Sequence, residues 1–222
     1  SLAGPANKQG RIAADNICGG DSRDPGSQGS SVIKVFDLTA AATGVNETNA
    51  QKAGLDADAV VLSPMSHAGY YPGGKVMTMK VVFERGTYRL LGAQIVGYEG
   101  VDKRIDVLST AIHCGMTAVQ LKDLDLVYAP PYSSAKDPVN MAGFMVENLA
   151  RGLVRQFHLR DMEGLPRDGS VTLLDVRTPQ EYAGGHIEGF RLIPVDELRE
   201  RLRELEAGKP VYVICQSGLR SY

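Results

Sequence analysis

Residues 211–222 read VYVICQSGLRSY. Four largely apolar residues run into Cys215, and a short polar turn with Gly218 and Arg220 follows. An unbroken run of this kind predicts a strand of parallel-sheet type. Open α/β sheets collect ligands at the carboxyl edge of their strands, which is where Cys215 would stand. The loop from Cys215 to Arg220 spans six residues and can turn its N–H groups inward as an anion nest. Such a nest, with Arg220 nearby, favours the thiolate, and the thiolate is the nucleophile. The other reading is a strand-end cysteine acting as a small hydrophobe.

Upstream, the texture from Gly152 onward alternates strand and helix. VTLLDV (171–176) reads as a strand and PQEYAGG (179–185) as a short helix. PVDELRERLRELEAG (194–208) reads as an amphipathic helix with Leu198, Leu202 and Leu205 inward. This is an α/β pattern. A domain boundary is expected near residues 152–158, dividing the chain into 1–28, 29–152 and 153–222.

LLDVRTPQEYAGGHIEG (173–189), the helix opening at Pro194, and CQSGLRS (215–221) together resemble a rhodanese domain. The resemblance implies that Cys215 accepts a sulfane sulfur as a persulfide, cradled by the amides of Gln216, Ser217, Gly218 and Leu219, with Arg220 beside it. Related phosphatases carry a loop one residue longer, so the resemblance implies sulfur rather than phosphate. Asp175, Arg177 and His186 are expected to tie strand, turn and helix together rather than to catalyse. The helix expected after Arg220 begins at Ser221-Tyr222, so the domain is expected to be cut at that end.

The first 152 residues predict a mixed α+β unit. A helix is expected to start near Gly4-Pro5, with Ile12 and Ile17 on its apolar side. GGDSRDPGSQGS (19–30) is a loop by composition, and SVIKVFD (31–37) is expected to be a buried strand. LTAAATG (38–44) is expected to turn, and a short helix should run between Asn46 and Gly54. AVVLS (59–63) is another strand candidate. KVMTMKVVFE (75–84) and RLLGAQIVGYE (89–99), parted by Arg85–Tyr88, predict a hairpin. Apolar residues at 101, 105, 108 and 112 predict a helix ended by Gly115. AVQLKDL (118–124) predicts a short helix, and DPVNMAGFMVENLARG (137–152) a longer one.

LAGPANKQGRIAADNI (2–17), GSSVIKVFDLTAAATGVNE (29–47), GAQIVGYEGVDKRIDVLSTAI (92–112) and YAPPYSSAKDPVN (128–140) carry a second resemblance. They are similar to the C-terminal part of pyridine nucleotide-disulfide oxidoreductases of the coenzyme A-disulfide reductase and NADH oxidase branch. The implied fold is the end of an FAD-binding domain, then a dimerisation (interface) domain, then the rhodanese-like domain. Leu2, Ala3 and Gly4 would meet FAD through their backbone at a helix N-terminus, where negative charge is favoured. Read without the family, that helix is any capped surface helix. SHAGYYPG (66–73) and YAPPYSS (128–134) place tyrosines beside Pro and Gly, which suits either a binding loop or simple packing. The resemblance implies that Tyr70 and Tyr128 reach the flavin and redox cysteine of a homodimer partner. Tyr128 would also contact the cofactor, and Tyr70 coenzyme A. Lys8 and Lys136 would bind coenzyme A at its phosphates. His67 is expected near this site, His113 is expected to be an ordinary helix residue, and His158 carries no signal. Cys18 and Cys114 are expected to be structural.

A net charge of −2 gives no nucleic-acid or membrane footprint. Three scattered cysteines fit neither a disulfide framework nor a zinc pattern, so no metal and a reducing, cytoplasmic setting are expected. The first residue is Ser, and the segment after it reads as the middle of something, so both ends are expected to continue. No G-x-G-x-x-G follows a strand in this chain. The reading that follows is part of an FAD-dependent, NAD(P)H-using reductase of persulfides, polysulfides or coenzyme A disulfide, with a sulfur-transferring rhodanese domain. A second reading is an NADH oxidase-type flavoprotein whose rhodanese domain is vestigial or a sulfur carrier. A third is a module that only dimerises.

Overall fold

The computed structural model describes residues 3–222, so the FAD contact expected of Leu2 lies outside the described residues. Helix α1 spans Ala3–Ile17 and buries none of its side chains. A loop leads to strands β1 (Ser31–Val35) and β2 (Leu38–Gly44). Then come α2 (Glu47–Lys52), β3 (Ala57–Leu62), β4 (Thr78–Glu84), β5 (Leu90–Gly97) and α3 (Val101–His113). A 3-10 turn at Val119–Asp123 precedes α4 (Pro138–Ala150).

The five strands form one antiparallel sheet in the order β1-β2-β5-β4-β3. Period-2 alternation sends Met79, Val81 and Phe83 of β4 to one face, where Ile105 and Leu108 of α3 and Val139 and Val146 of α4 cover them. A register shift between Val82 and Phe83 bends the strand as a bulge does. Val82 faces the other way, with Ala59 and Leu91. The helices form where caps allow. Asn46 accepts from the Asn49 amide to start α2, and Asp137 accepts from Val139 to start α4 behind Pro138. A Cβ on Gly143 would meet the Lys122 amide nitrogen at 2.2 Å, so only glycine lets α4 lie against the 3-10 turn.

The second part is a three-stranded parallel sheet in the order β7-β6-β8, from β6 (Thr172–Asp175), β7 (Arg191–Leu192) and β8 (Val211–Ile214). Leu173 packs on one face with Leu165 and Phe190, and Leu174 on the other with Val176 and Ile193. Helices α5 (Pro179–Ala183) and α6 (Val195–Arg201) complete it, followed by a 3-10 turn at Leu202–Glu204.

Three expectations need correction. SVIKVFD does hold a strand, but every residue of β1 is exposed, as are Phe36 and Leu38. It is an edge strand with no element of the described residues over it, so its apolar side chains stay in solvent. LTAAATG is not a turn; it pairs with both β1 and β5 as an inner strand. Leu202 points outward, because α6 tightens into a 3-10 turn there and the helical stripe loses phase; Leu198 and Leu205 do pack inward. Among the described residues no helix is long and apolar enough to cross a membrane.

Candidate functional site

Cys215 leaves the carboxyl end of β8, and its side chain sits half-buried against Leu174, Val176 and Ile193. The loop then folds back on the sulfur. The Gly218 amide donates to Sγ at 3.1 Å, and the Ser221 hydroxyl lies 3.5 Å from it. Gly218 takes φ +85°, a conformation that only glycine adopts cheaply and that turns its N–H toward the sulfur. Ser221 also donates to the Gly218 carbonyl, and the Tyr222 amide does the same, which closes the loop. Burial pushes the Cys215 thiol up. Hydrogen bonds from Ser221 and from the backbone of Ser217, Ser221 and Arg220 outweigh that, and the thiol is more acidic than usual.

Arg220 has a second partner besides Cys215. Its guanidinium forks onto both carboxylate oxygens of Glu181, at 2.7 and 2.8 Å. Glu181 also accepts from the Thr178 amide and hydroxyl in the box that caps α5. Hydrogen bonds from Arg220 and Thr178 hold this carboxyl at about 2, so it stays ionised. Cys215 contributes to raising the Arg220 pKa only after Glu181.

A cavity of about 620 Å³ opens beside the sulfur, with Phe157, His158, Met162, Arg177, His186 and Gln216 among its walls. Arg177 forks onto the fully buried Asp175 and donates to the Gly185 carbonyl. His186 stacks on Tyr182 at 4.0 Å between ring centroids. His158 reaches across to the first sheet, with Nε2 2.7 Å from an Asp58 carboxylate oxygen. A second cavity of about 350 Å³ borders the loop through Ser217, Gly218 and Leu219 and includes Lys136 and Phe144. The Lys136 ammonium sits 5.9 Å from the Phe144 ring centroid.

The tyrosines form a separate centre. The hydroxyls of Tyr70 and Tyr128 meet at 2.9 Å, on exposed loops 58 residues apart. That bond raises the Tyr128 pKa, which keeps the phenol a neutral donor. Beneath the loops Arg104 is buried on α3 and donates to the Ser66 carbonyl at 2.9 Å, the Ser133 hydroxyl at 3.2 Å and Asp137 at 3.1 Å. The Ala68 amide donates to the Ser133 carbonyl, which joins the two loops directly. His67 lies buried below, edge-on to Tyr71.

Comparison with known proteins bears on both centres. The family "Pyridine nucleotide-disulphide oxidoreductase, dimerisation domain" matches residues 30–138, and "Rhodanese-like domain" matches 159–222. The chain carries a pyridine nucleotide-disulfide oxidoreductase dimerisation domain followed by a rhodanese-like domain. The structure of reduced Bacillus anthracis CoADR-RHD superposes with a TM-score of 0.93 at 46% identity, over 100% of this chain and 40% of that one. A NAD-dependent persulfide reductase from A. fulgidus gives 0.84 at 44% identity, over 97% and 39%. Coenzyme A disulfide reductase of Staphylococcus aureus is 38% identical over 144 residues, 64% of this chain and 32% of that protein. The chain therefore spans about a third of the curated relative's length.

Within this oxidoreductase and rhodanese pair of domains, the structure brings Ser217, Gly218, Arg220 and Ser221 to the Cys215 sulfur, with Gln216 on the cavity wall and Leu219 exposed, and it brings Tyr70 to Tyr128. It does not bring the two centres into one cavity; none of the three cavities bordering the Cys215 loop includes either tyrosine. Lys8 and Lys136 are also apart. Lys8 is exposed on α1, in a cavity of about 710 Å³ that includes Gly4 and Ser109. Cys18 and Cys114 are exposed rather than packed, since both sit at helix ends where the apolar stripe has run out. Sequence reasoning missed Arg104, Glu181, Asp58 and His158. Three are charged residues whose partners lie far along the chain, and His158 sits in a segment with no periodicity to mark it.

Proposed function

We propose that this chain is the dimerising and sulfur-delivering part of an FAD-dependent, NAD(P)H-using persulfide, polysulfide or coenzyme A-disulfide reductase. The observation that carries the reading is the Cys215 sulfur, held by loop hydrogen bonds that make it acidic, at the mouth of a cavity roomy enough for an organic persulfide. The loading step is R–S–SH + Cys215–S⁻ → R–SH + Cys215–S–S⁻. The S–S bond of the donor breaks, a new one forms on Sγ, and the proton leaves on the thiol. The overall reduction is R–S–SH + NAD(P)H + H⁺ → R–SH + H₂S + NAD(P)⁺.

Ala3 and Gly4 stand exposed at the start of α1, and a Cβ on Gly4 would meet nothing within 4 Å, so a flat ring system has room there. FAD, when bound, supplies electron transfer from NAD(P)H to sulfur. In a homodimer the Tyr70–Tyr128 pair would stand at the partner's redox centre and donate a hydrogen bond to the leaving thiolate. The apolar, exposed β1 and the family description of this domain support a homodimer. Lys136 borders the cavity at Ser217–Leu219, so coenzyme A held there by a phosphate would bring its thiol end toward Cys215. The names of the similar proteins support this chemistry.

The test is intact mass of the full-length protein after mild incubation with polysulfide, beside Cys215→Ser. The expected result is a gain of about one sulfur atom per chain that the Ser variant lacks. No gain in the wild type would sink the carrier role and turn attention to oxygen as the acceptor.

A further inference from the structure

Two guanidinium groups beside Cys215 each fork onto a carboxylate. Arg177, on the cavity wall, forks onto Asp175. Arg220, the last residue of the loop, forks onto Glu181, which Thr178 holds from its other side. Of the two histidines on the wall, His158 is taken up by Asp58 and His186 is stacked on Tyr182. A bidentate pair leaves the guanidinium little net charge to offer a second anion. What a ligand at the sulfur meets is backbone N–H and hydroxyl donors and an Arg220 whose charge Glu181 largely balances, which suits a single negative charge.

We propose that Glu181 is a specificity-determining positioning residue: by keeping Arg220 in a neutral pair, it tunes the Cys215 loop to monoanionic sulfane sulfur and against dianions. A persulfide carries one charge on its outer sulfur; thiosulfate, sulfate and hydrogenphosphate carry two. The proposal rests on Cys215 as sulfur carrier and adds what selects the donor. Six-residue loop length alone would set only the size of the nest. Glu181 sets its charge, from 39 residues away along the chain.

The test uses the full-length protein, Glu181→Gln and Glu181→Asp. Alkylation of Cys215 by neutral iodoacetamide is followed on its own peptide by mass spectrometry, across pH and with sulfate or thiosulfate as protecting anion. Wild type should be protected weakly. Glu181→Gln frees Arg220, so the half-protecting anion concentration should fall about tenfold, the step expected for one charge-assisted hydrogen bond gained. Its alkylation midpoint should also move to lower pH, because an unpaired cation now faces the thiolate. Glu181→Asp keeps the charge and should retain weak protection. Unchanged or weaker protection in Glu181→Gln, or equal tightening in Glu181→Asp, overturns the proposal. Sulfur loading of the wild type is read separately by intact mass. Its failure would remove the carrier reading, while the anion comparison would still decide what Glu181 does.

Discussion

Tyr70 and Tyr128 share one hydrogen bond, and that bond raises the Tyr128 pKa. A neutral phenol with a raised pKa is a donor across the whole working pH range, which is what a departing thiolate needs. Replacing Tyr70 by Phe removes the partner that raises Tyr128, so the Tyr128 phenolate should appear at lower pH in an ultraviolet titration. Turnover of a disulfide or persulfide by the whole enzyme should fall on the order of 10²-fold in either Phe variant, the lower end of general acid catalysis. The double variant should lose little more than either single one, since the hydroxyls act as a unit. Losses that multiply would mean that they act apart.

The loops that carry these tyrosines are held by helix α3 through one side chain. Arg104 spends its donors on Gly100, Ser66, Tyr132, Ser133 and Asp137, and Asp137 in turn caps α4. Removing the cation would leave the Asp137 carboxylate buried with its main partner gone. Arg104→Met should therefore cost about 3–5 kcal/mol in urea unfolding, the range for breaking a buried pair from one side. A loss under about 1 kcal/mol would place the pair among solvent-screened ones, against its burial. The same α3 presents Ile105 and Leu108 to the sheet, so one helix builds the core with its apolar stripe and the tyrosine centre with its flank.

The two sheets are coupled through the segment between them. β3 is the far edge of the antiparallel sheet, and the Gln156 side chain donates to the Ala59 carbonyl on it. His158 bonds to Asp58, Arg160 to Glu47, and Asn148 of α4 to the Tyr222 hydroxyl. These contacts cover an edge that would otherwise offer unpaired backbone groups, and they set where the Cys215 loop stands relative to the first domain. Burial raises the Asp58 pKa, but hydrogen bonds from His158 and the Ala59 amide, with Arg85 nearby, bring it below the usual carboxylate range. A depressed folded pKa means that the contribution is complete above the unfolded value and is lost as pH falls through the folded one. Acid should therefore loosen the junction before it unfolds the sheets. Asp58→Asn should flatten that dependence in thermal unfolding measured from pH 7 downward. An identical pH slope in the variant would show that the pair does not hold the domains together.

Much of this architecture was legible because it is local. VTLLDV and VYVIC read as strands from their unbroken apolar runs, although β8 lies at the sheet edge with Val211 exposed and the rest half-buried, and Cys215 falls at a strand end whatever surrounds it. Asn46, Asp137, Gly115 and Gly152 bracket their helices through caps that involve neighbours only. The remainder depended on pairing across long stretches of chain. LTAAATG has little strand signal of its own, and becomes a strand because β1 and β5 offer hydrogen bonds on both sides. SVIKVFD has strong strand signal, yet its exposure follows from its place at the sheet edge, which no periodicity encodes. Arg104 sits one position before Ile105 in a helical stripe and reads as a surface residue until the tyrosine loops fold over it. The cysteine, its glycine turn and its arginine are written in six consecutive residues, because a nest is made by adjacent amides. That Arg220 forks onto Glu181 as well as standing beside the sulfur, and that His158 joins the cavity wall, only the tertiary structure decides, since charge pairing depends on distance through space and not along the chain.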